Sequence, residues 1–330
     1  MQRSLIFIVL VLASLHCGRA MLYDNVSYLD LQKYELGQER MPFQGRVLMM
    51  PLMRMAHSSA AMIRISRSPH EKRVMTAERP DPEKVLSTLI ACACVAGMGL
   101  LGTWEAIRLR LPWWLPWTVT LAILFVSYAS RSEQNFWYPY DAPEFLLFSL
   151  GTVFVVQQRY WLLLLLMPII AANRETAIFL AVLWLFVDWN RERPWPAVLR
   201  TALLLVPYAA IYLAIAHHFA HQPSITGPRM AENLRALRSP KYWPQLTSAF
   251  GYLWVVLLLF WKRLSQISRR LLLGLLPCVL VTLFFGVWFE SRIFGEFTLA
   301  VALLCSEIFA SVYLNRGSVP PPEPKLAPQA

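Results

Sequence analysis

Polar and charged residues interrupt the apolar runs of this chain, and they are the first candidates for chemistry. The quartet 173–176 (Asn-Arg-Glu-Thr) divides the apolar runs 160–172 and 177–187, and the triplet 290–292 (Glu-Ser-Arg) divides two others. A charge at membrane depth costs roughly 2.5–3.5 kcal/mol on insertion scales, so it usually faces a polar cavity. Several such breaks predict one shared cavity, and therefore a site.

The composition is that of a membrane protein. The chain is 57% hydrophobic and 15% charged, whereas soluble domains are about 25% charged. Runs such as 198–219 approach the ~20 apolar residues that a spanning helix needs. Strand-like alternation is absent, so we predict an all-α, polytopic transmembrane protein with about nine to ten membrane segments. The predicted segments are 4–22, 85–107, 113–130, 142–157, 160–172, 176–188, 197–219, 248–261, 270–289 and 293–314.

The positive charge of the chain predicts its orientation in a membrane. The formal net charge is +11, and basic residues cluster in the short loops 191–193 and 262–270. The positive-inside rule places such loops in the cytoplasm. This orientation puts 131–141, 173–175 and 217–247 on the extracytoplasmic side. We therefore expect membrane lipids as partners, and no nucleic acid.

The segments form a single predicted domain, 1–315, followed by a disordered, proline-rich tail at 316–330. Within this domain, 23–84 is the first extracytoplasmic loop, and 46–65 is an amphipathic helix lying in the membrane interface. The alternative makes 46–65 a second crossing and 66–84 cytoplasmic. For 4–22 we favour an uncleaved first helix over a secretory signal peptide.

The predicted topology gathers carboxylates and basic side chains on the extracytoplasmic side. A carboxylate there can take a proton from an attacking hydroxyl, and arginine can hold a phosphate leaving group through two parallel hydrogen bonds. The residues so placed are Asp24, Asp30, Glu35, Glu39, Arg40, Asp141, Arg174, Glu175, His217, His218, Glu290 and Arg292. This mixture is typical of transfer chemistry on a lipid-linked substrate.

The order of these elements resembles a known family. A first helix is followed by the acidic loop 23–30, by 42–52 (PFQGRVLMMPL), and then by apolar segments that are interrupted at 138–141 (YPYD) and 173–176 (NRET). This arrangement, which spans 1–315, resembles uncharacterised bacterial membrane proteins similar to GT-C glycosyltransferases. The resemblance implies a GT-C-like fold, a multi-pass location in the bacterial inner membrane, and a polyprenyl-phosphate sugar as substrate.

The resemblance also implies roles for individual residues. The catalytic carboxylate of the family lies in the first extracytoplasmic loop, which here points to Asp30 or Asp24. Many family members carry two acidic residues separated by one, and this loop has no such pair. We therefore predict no cofactor, and a divalent metal has no motif to support it. The predicted substrate-binding residues are Arg174 and Arg292 for the donor phosphate, with Glu175, Asp141, Glu290, Tyr138 and His217 around them.

Each candidate also has a purely structural interpretation. Asp24 and Asp30 are then solvated loop residues, Arg174 and Glu175 pair with one another, and Asp141 caps a helix. Tyr138 becomes an aromatic anchor at the membrane surface.

Two other functions remain open from the sequence. One is a transporter or lipid flippase, which would use 160–188 as a pair of half-helices around its substrate. The other is a polysaccharide polymerase, which would keep the arginines and dispense with Asp30.

Overall fold

The computed structural model describes residues 2–23, 25–67, 81–128, 136–224, 227–287 and 291–314. The α-helices are α1 Gln2–Tyr23, α2 Leu31–Leu36, α3 Met50–Ser58, α4 Ala60–Ser66, α5 Pro82–Arg108, α6 Leu115–Ser127, α7 Asp141–Val156, α8 Tyr160–Asn173, α9 Ile178–Asp188, α10 Trp195–His218, α11 Met230–Arg238, α12 Trp243–Thr247, α13 Leu253–Phe260, α14 Gln266–Phe285 and α15 Thr298–Tyr313. Short 3-10 helices are Phe43–Gly45, Val47–Met49, Glu175–Ala177, Pro240–Tyr242, Ala249–Tyr252, Trp261–Arg263 and Ser291–Phe297. The fold is therefore helical, as predicted.

Five helices in the described part of the chain are long and apolar enough to cross a membrane. They are Gln2–Tyr23, Pro82–Arg108, Trp195–His218, Gln266–Phe285 and Ile293–Tyr313. Two shorter apolar helices, α6 with 13 residues and α8 with 14, fall below the ~20 residues of a full crossing. The sequence predicts nine to ten membrane segments. That number stays a prediction, because α7, α9 and α13 are also shorter than a full crossing needs.

The last apolar helix lies at the centre of the bundle. The apolar stretch of Ile293–Tyr313 is 89% buried, whereas the apolar stretch of α10 is only 6% buried. Helix α10 therefore lies at the periphery. At the amino-terminal side, α1 packs on α5 at very short range. A Cβ atom at Gly18 would lie 2.6 Å from the Cα atom of Cys92, so only glycine lets these two backbones approach so closely.

Polar contacts gather the two basic loops at one end of the bundle. Tyr160 donates to the Arg200 carbonyl at 3.2 Å, and Arg200 pairs with Asp188 at 3.1 Å. Arg270 donates to the Val187 carbonyl, also at 3.2 Å. These bonds join the end of α9 to α10 and to the start of α14. The helix ends that border the two basic loops therefore lie side by side.

The first loop packs at the other end and differs from the single interfacial helix predicted over 46–65. Two 3-10 turns lead into α3, which ends at Ser58, and α4 begins two residues later. Ser59 separates the two helices and caps α4. Its backbone is extended, and its side chain accepts a hydrogen bond from Met62 N at 3.4 Å. Most of 66–84, whose side of the membrane was ambiguous, lies outside the described residues, as does the predicted tail 316–330.

A short strand pair ties the first loop to the segment before α7. Val26–Ser27 pairs in parallel with Phe136–Trp137, so that Val26 lies opposite Phe136. The sequence pattern did not predict this pair, because two residues are too few for a recognisable alternation. The pairing brings the start of α7 beneath the first loop.

Candidate functional site

The candidate site is built on an ion pair between the first loop and the break after α8. Arg46 donates from Nη2 to Glu175 Oε1 at 2.7 Å and from Nε to Oε2 at 3.2 Å. Parallel bonds of this kind are the strong, oriented form of an arginine–carboxylate contact. Arg46 is buried at 6% exposure, with its guanidinium 4.7 Å from the centre of the Tyr140 ring. The sequence predicts Arg46 to lie in an interfacial helix, and this ion pair was not predicted.

The break after α8 determines which way its polar side chains point. Helix α8 ends at Asn173, Arg174 is extended with φ −160° and ψ 145°, and a 3-10 turn begins at Glu175. Asn173 Nδ2 donates to the Tyr140 carbonyl at 3.1 Å and to Glu144 Oε2 at 2.8 Å. Because the backbone is extended at Arg174, the neighbouring side chains diverge. Arg174 and Glu175 therefore pair with different partners, not with one another.

The partner of Arg174 is Asp141, at the start of α7. Arg174 Nη1 lies 3.7 Å from Asp141 Oδ1, and the two residues are 7% and 3% exposed. Asp141 is the first helical residue, and the N-cap position belongs to Tyr140, so the predicted capping role does not apply. Arg174 Nε has no acceptor within the described residues. Since arginine carries five N–H donors and no acceptor, this group retains capacity for an anionic ligand.

Two buried carboxylates that the sequence analysis missed complete the network. Thr176 Oγ1 lies 2.5 Å from Glu296 Oε2 and 3.4 Å from Glu144 Oε1. Glu144 is 0% exposed and Glu296 is 1% exposed. A signal was present in both cases, since each is a single acidic residue inside an apolar run. Glu144 also follows Asp141 by three positions, which places both on one face of α7.

The network holds two guanidinium groups and four carboxyl groups. Its members are Arg46, Asp141, Glu144, Arg174, Glu175 and Glu296. Burial raises the pKa of Glu175, but the neighbouring Arg46 guanidinium outweighs burial and lowers this pKa to about 2. Glu175 is therefore ionised at neutral pH. It compensates the charge of Arg46, leaving Arg174 and Asp141 as the second pair.

A small cavity borders the network beside Asp141. Trp137, Tyr138 and Asp141 line it together with Ser87 of α5 and Tyr128 near the end of α6. Asp141 thus lies between Arg174 and this cavity, which has room for about one water molecule.

Aromatic rings of the first loop lie over the network. Tyr138 stacks on Phe43 and on Tyr140, with ring centroids 5.3 Å apart in each case. Tyr34 donates from its hydroxyl to the Arg46 carbonyl. These rings shield the Arg46 guanidinium from water, which strengthens its interaction with Glu175, whose own side chain stays 39% exposed. The ring of the predicted substrate ligand Tyr138 is therefore engaged by protein side chains.

Asp30, the predicted catalytic base, lies outside the network. Its carboxylate caps α2 by accepting from Lys33 N at 3.1 Å, and it also pairs with Lys33 Nζ at 3.4 Å. The side chain is 46% exposed. The hydrogen bond from the Lys33 backbone lowers the pKa of Asp30. Within the described residues, the contacts of Asp30 are those of a helix cap.

The other predicted site residues are placed as follows. His217 lies in the last turn of α10, where it is exposed and makes no contact with the network. Arg292 belongs to the 3-10 helix Ser291–Phe297, which also contains Glu296. The side chain of Arg292 lies outside the described part of the structure. Asp24 and Glu290 lie outside the described residues.

Comparisons of the chain with known protein families, with curated proteins and with solved structures found no match in any of the three.

Proposed function

We propose that this protein is a GT-C-like membrane glycosyltransferase that transfers a sugar from a polyprenyl-phosphate donor on the extracytoplasmic side of a cell membrane, most simply the bacterial inner membrane. The observation that carries the proposal is the buried contact of Arg174 with Asp141 beside a cavity. In this proposal Arg174 binds the phosphate and the adjacent Asp141 is the general base.

Arg174 is suited to the phosphate of the donor. Its Nε atom has no acceptor in the described part of the chain, and its guanidinium is buried. A phosphate oxygen would satisfy this donor, and a water-excluded setting strengthens the contact. Arg46 adds a second positive charge, although Glu175 already holds it through two hydrogen bonds.

In the proposed reaction, an acceptor hydroxyl reaches the small cavity beside Asp141 and attacks the anomeric carbon of the sugar. A bond forms between the acceptor oxygen and that carbon as the bond from the carbon to the phosphate oxygen breaks. Asp141 takes the hydroxyl proton, and the electron pair leaves with the polyprenyl phosphate, whose charge Arg174 stabilises. A single displacement of this kind inverts the anomeric centre.

Asp141 is preferred to Asp30 as the base on geometric grounds. Asp141 is 3% exposed, borders the cavity and lies beside Arg174, whereas Asp30 caps an exposed helix. The family resemblance favours Asp30 or Asp24, and that assignment stays a prediction.

The experiment uses the purified protein in lipid nanodiscs with a panel of undecaprenyl-phosphate hexoses that carry a radiolabelled sugar. We expect the labelled sugar of at least one donor to be transferred to a hydroxyl of water or of added glycerol, with undecaprenyl phosphate as the second product. Asp141→Asn should slow this transfer, and Asp188→Asn should not, because Asp188 pairs with Arg200 at the opposite end of the bundle. Equal transfer by Asp141→Asn and the unaltered protein would contradict the proposed site.

One observation favours a transporter or flippase as a second candidate. The short helices α8 and α9 meet at a break whose polar residues enter a buried network, as discontinuous helices do around transported substrates. A fluorescent undecaprenyl phosphate in proteoliposomes separates the two functions. Movement of the lipid between leaflets without release of sugar would support transport and overturn transfer.

A further inference from the structure

The first loop holds a second cluster of ligand-type side chains, separate from the buried network. Glu35 lies on α2, His57 on α3 and Glu83 in the first turn of α5. One ligand atom from each lies within 4.8 Å of those of the other two. The residues are 22 or more positions apart in sequence, so no local motif announces them. Three elements that are distant in sequence therefore present their side chains to one point.

One buried carboxylate oxygen of this cluster has no hydrogen-bond donor within the described residues, while the other two side chains contact each other. Glu35 is 7% exposed, yet no donor among the described residues reaches its Oε1 atom. The nearby Arg54 donates from Nε to the Glu35 carbonyl, at 2.5 Å, and not to the carboxylate. Glu83, 5% exposed, makes a 2.6 Å contact with His57 Nδ1. A buried carboxylate oxygen without a donor is costly unless a proton or a cation compensates it.

We propose that Glu35, His57 and Glu83 bind a divalent transition-metal ion, with Zn²⁺ as the best-fitting case. An imidazole with two carboxylates is a donor set that suits zinc, and imidazole disfavours Mg²⁺ and Ca²⁺, which prefer oxygen alone. Ligand atoms around tetrahedral zinc are about 3.4 Å apart, given bonds of about 2.1 Å. The ligand atoms of this cluster lie within 4.8 Å of one another, so small rotations of the side chains bring them to this spacing. His57 is exposed, which provides an entry path from solvent.

The proposed metal has a structural consequence for the first loop. Glu35 follows Tyr34, whose hydroxyl donates to the carbonyl of Arg46. An ion bound to Glu35 and Glu83 would tie α2 to α5, and so would hold the segment that carries Arg46. This inference is independent of the proposed transfer reaction, because it does not depend on what the buried network binds.

The test is Zn²⁺ binding by the full chain, purified in detergent and stripped with a chelator. We expect about one Zn²⁺ per chain, and a rise in the thermal unfolding temperature when Zn²⁺ is added. Glu83→Gln and His57→Gln should each weaken binding at least tenfold and abolish the rise. The matched control is His217→Gln, which alters an exposed histidine outside the cluster and should change neither quantity.

X-ray absorption of the zinc-loaded, unaltered protein identifies the ligand atoms without any variant that must fold. We expect a first shell of oxygen and nitrogen only, including one imidazole. Sulfur at about 2.3 Å would assign the ion to one of the five free cysteines and overturn the proposal. Undiminished binding by both His57→Gln and Glu83→Gln, or loss of binding in His217→Gln, would overturn it as well.

Discussion

Arg46 and Glu175, 129 residues apart in sequence, form an ion pair with two hydrogen bonds. The two partners differ in environment, because the Arg46 side chain is 7% exposed and that of Glu175 is 39% exposed. The pair fixes the first loop on the break between α8 and α9, and the rest of the buried network is arranged around it.

The unequal exposure predicts unequal effects of removing either partner. Glu175→Gln leaves a buried, uncompensated guanidinium, so we expect a loss of about 3 kcal/mol in the free energy of unfolding. Arg46→Met leaves a carboxylate that water can reach, and we expect a smaller loss of about 1 kcal/mol. Thermal unfolding of the purified variants in detergent measures both. A larger loss in Arg46→Met would show that the packing of Arg46 on Tyr140 matters more than its charge.

The contribution of Glu175 to stability should depend on pH in a defined direction. Its folded-state pKa of about 2 lies below the ordinary value of 4.5, so ionised Glu175 stabilises the folded state. This stabilisation is complete above pH ~4.5 and is lost as the pH falls towards 2. We expect the stability difference between the unaltered protein and Glu175→Gln to be constant from pH 7 to 5 and to shrink below that. A difference that grows on acidification would contradict the assignment of the pair.

The orientation of the chain is tested by labelling. The adjacent basic loops at 188–196 and 262–270 should be cytoplasmic, because outward transfer of lysine and arginine is disfavoured. A cysteine introduced at Gln266, in a chain whose own cysteines are replaced by alanine, should be labelled by an impermeant reagent only after the cells are opened. A cysteine introduced at His217 should be labelled in intact cells, since His217 is exposed on the other side in this topology. The reversed pattern would place the buried network at the cytoplasmic face.

Part of the architecture and part of the site could be predicted from the sequence. The helical class follows from long apolar runs, and the break at 173–176 is visible because charges are costly inside such runs. The pairing of its residues is not visible, because partners such as Arg46 come from distant segments. The metal-ligand cluster was missed for the same reason, since Glu35, His57 and Glu83 become neighbours only when the first loop folds on α5.

The general base is assigned by comparing two isosteric changes. Asp141→Asn removes a carboxylate next to Arg174, and we expect transfer to fall by the ~10²–10⁴-fold that is typical of a lost general base. Asp30→Asn removes the charge of a helix cap, so transfer should change little, with a stability loss of at most about 1 kcal/mol. Sugar release from the undecaprenyl-phosphate hexose that the protein uses measures both variants. A large loss of transfer in Asp30→Asn alone would return the catalytic role to the first loop.

The most direct test of the central claim is the affinity of the buried network for a lipid phosphate. Undecaprenyl phosphate is titrated into the protein in nanodiscs, and binding is compared for the unaltered chain, Arg174→Lys and the control Arg200→Lys. Lysine keeps the charge and loses the planar, forked donor set. We predict that Arg174→Lys weakens binding at least tenfold, while Arg200→Lys, at the opposite end of the bundle, leaves it unchanged. Equal affinity in all three proteins would contradict the assignment of Arg174 as the phosphate-binding group.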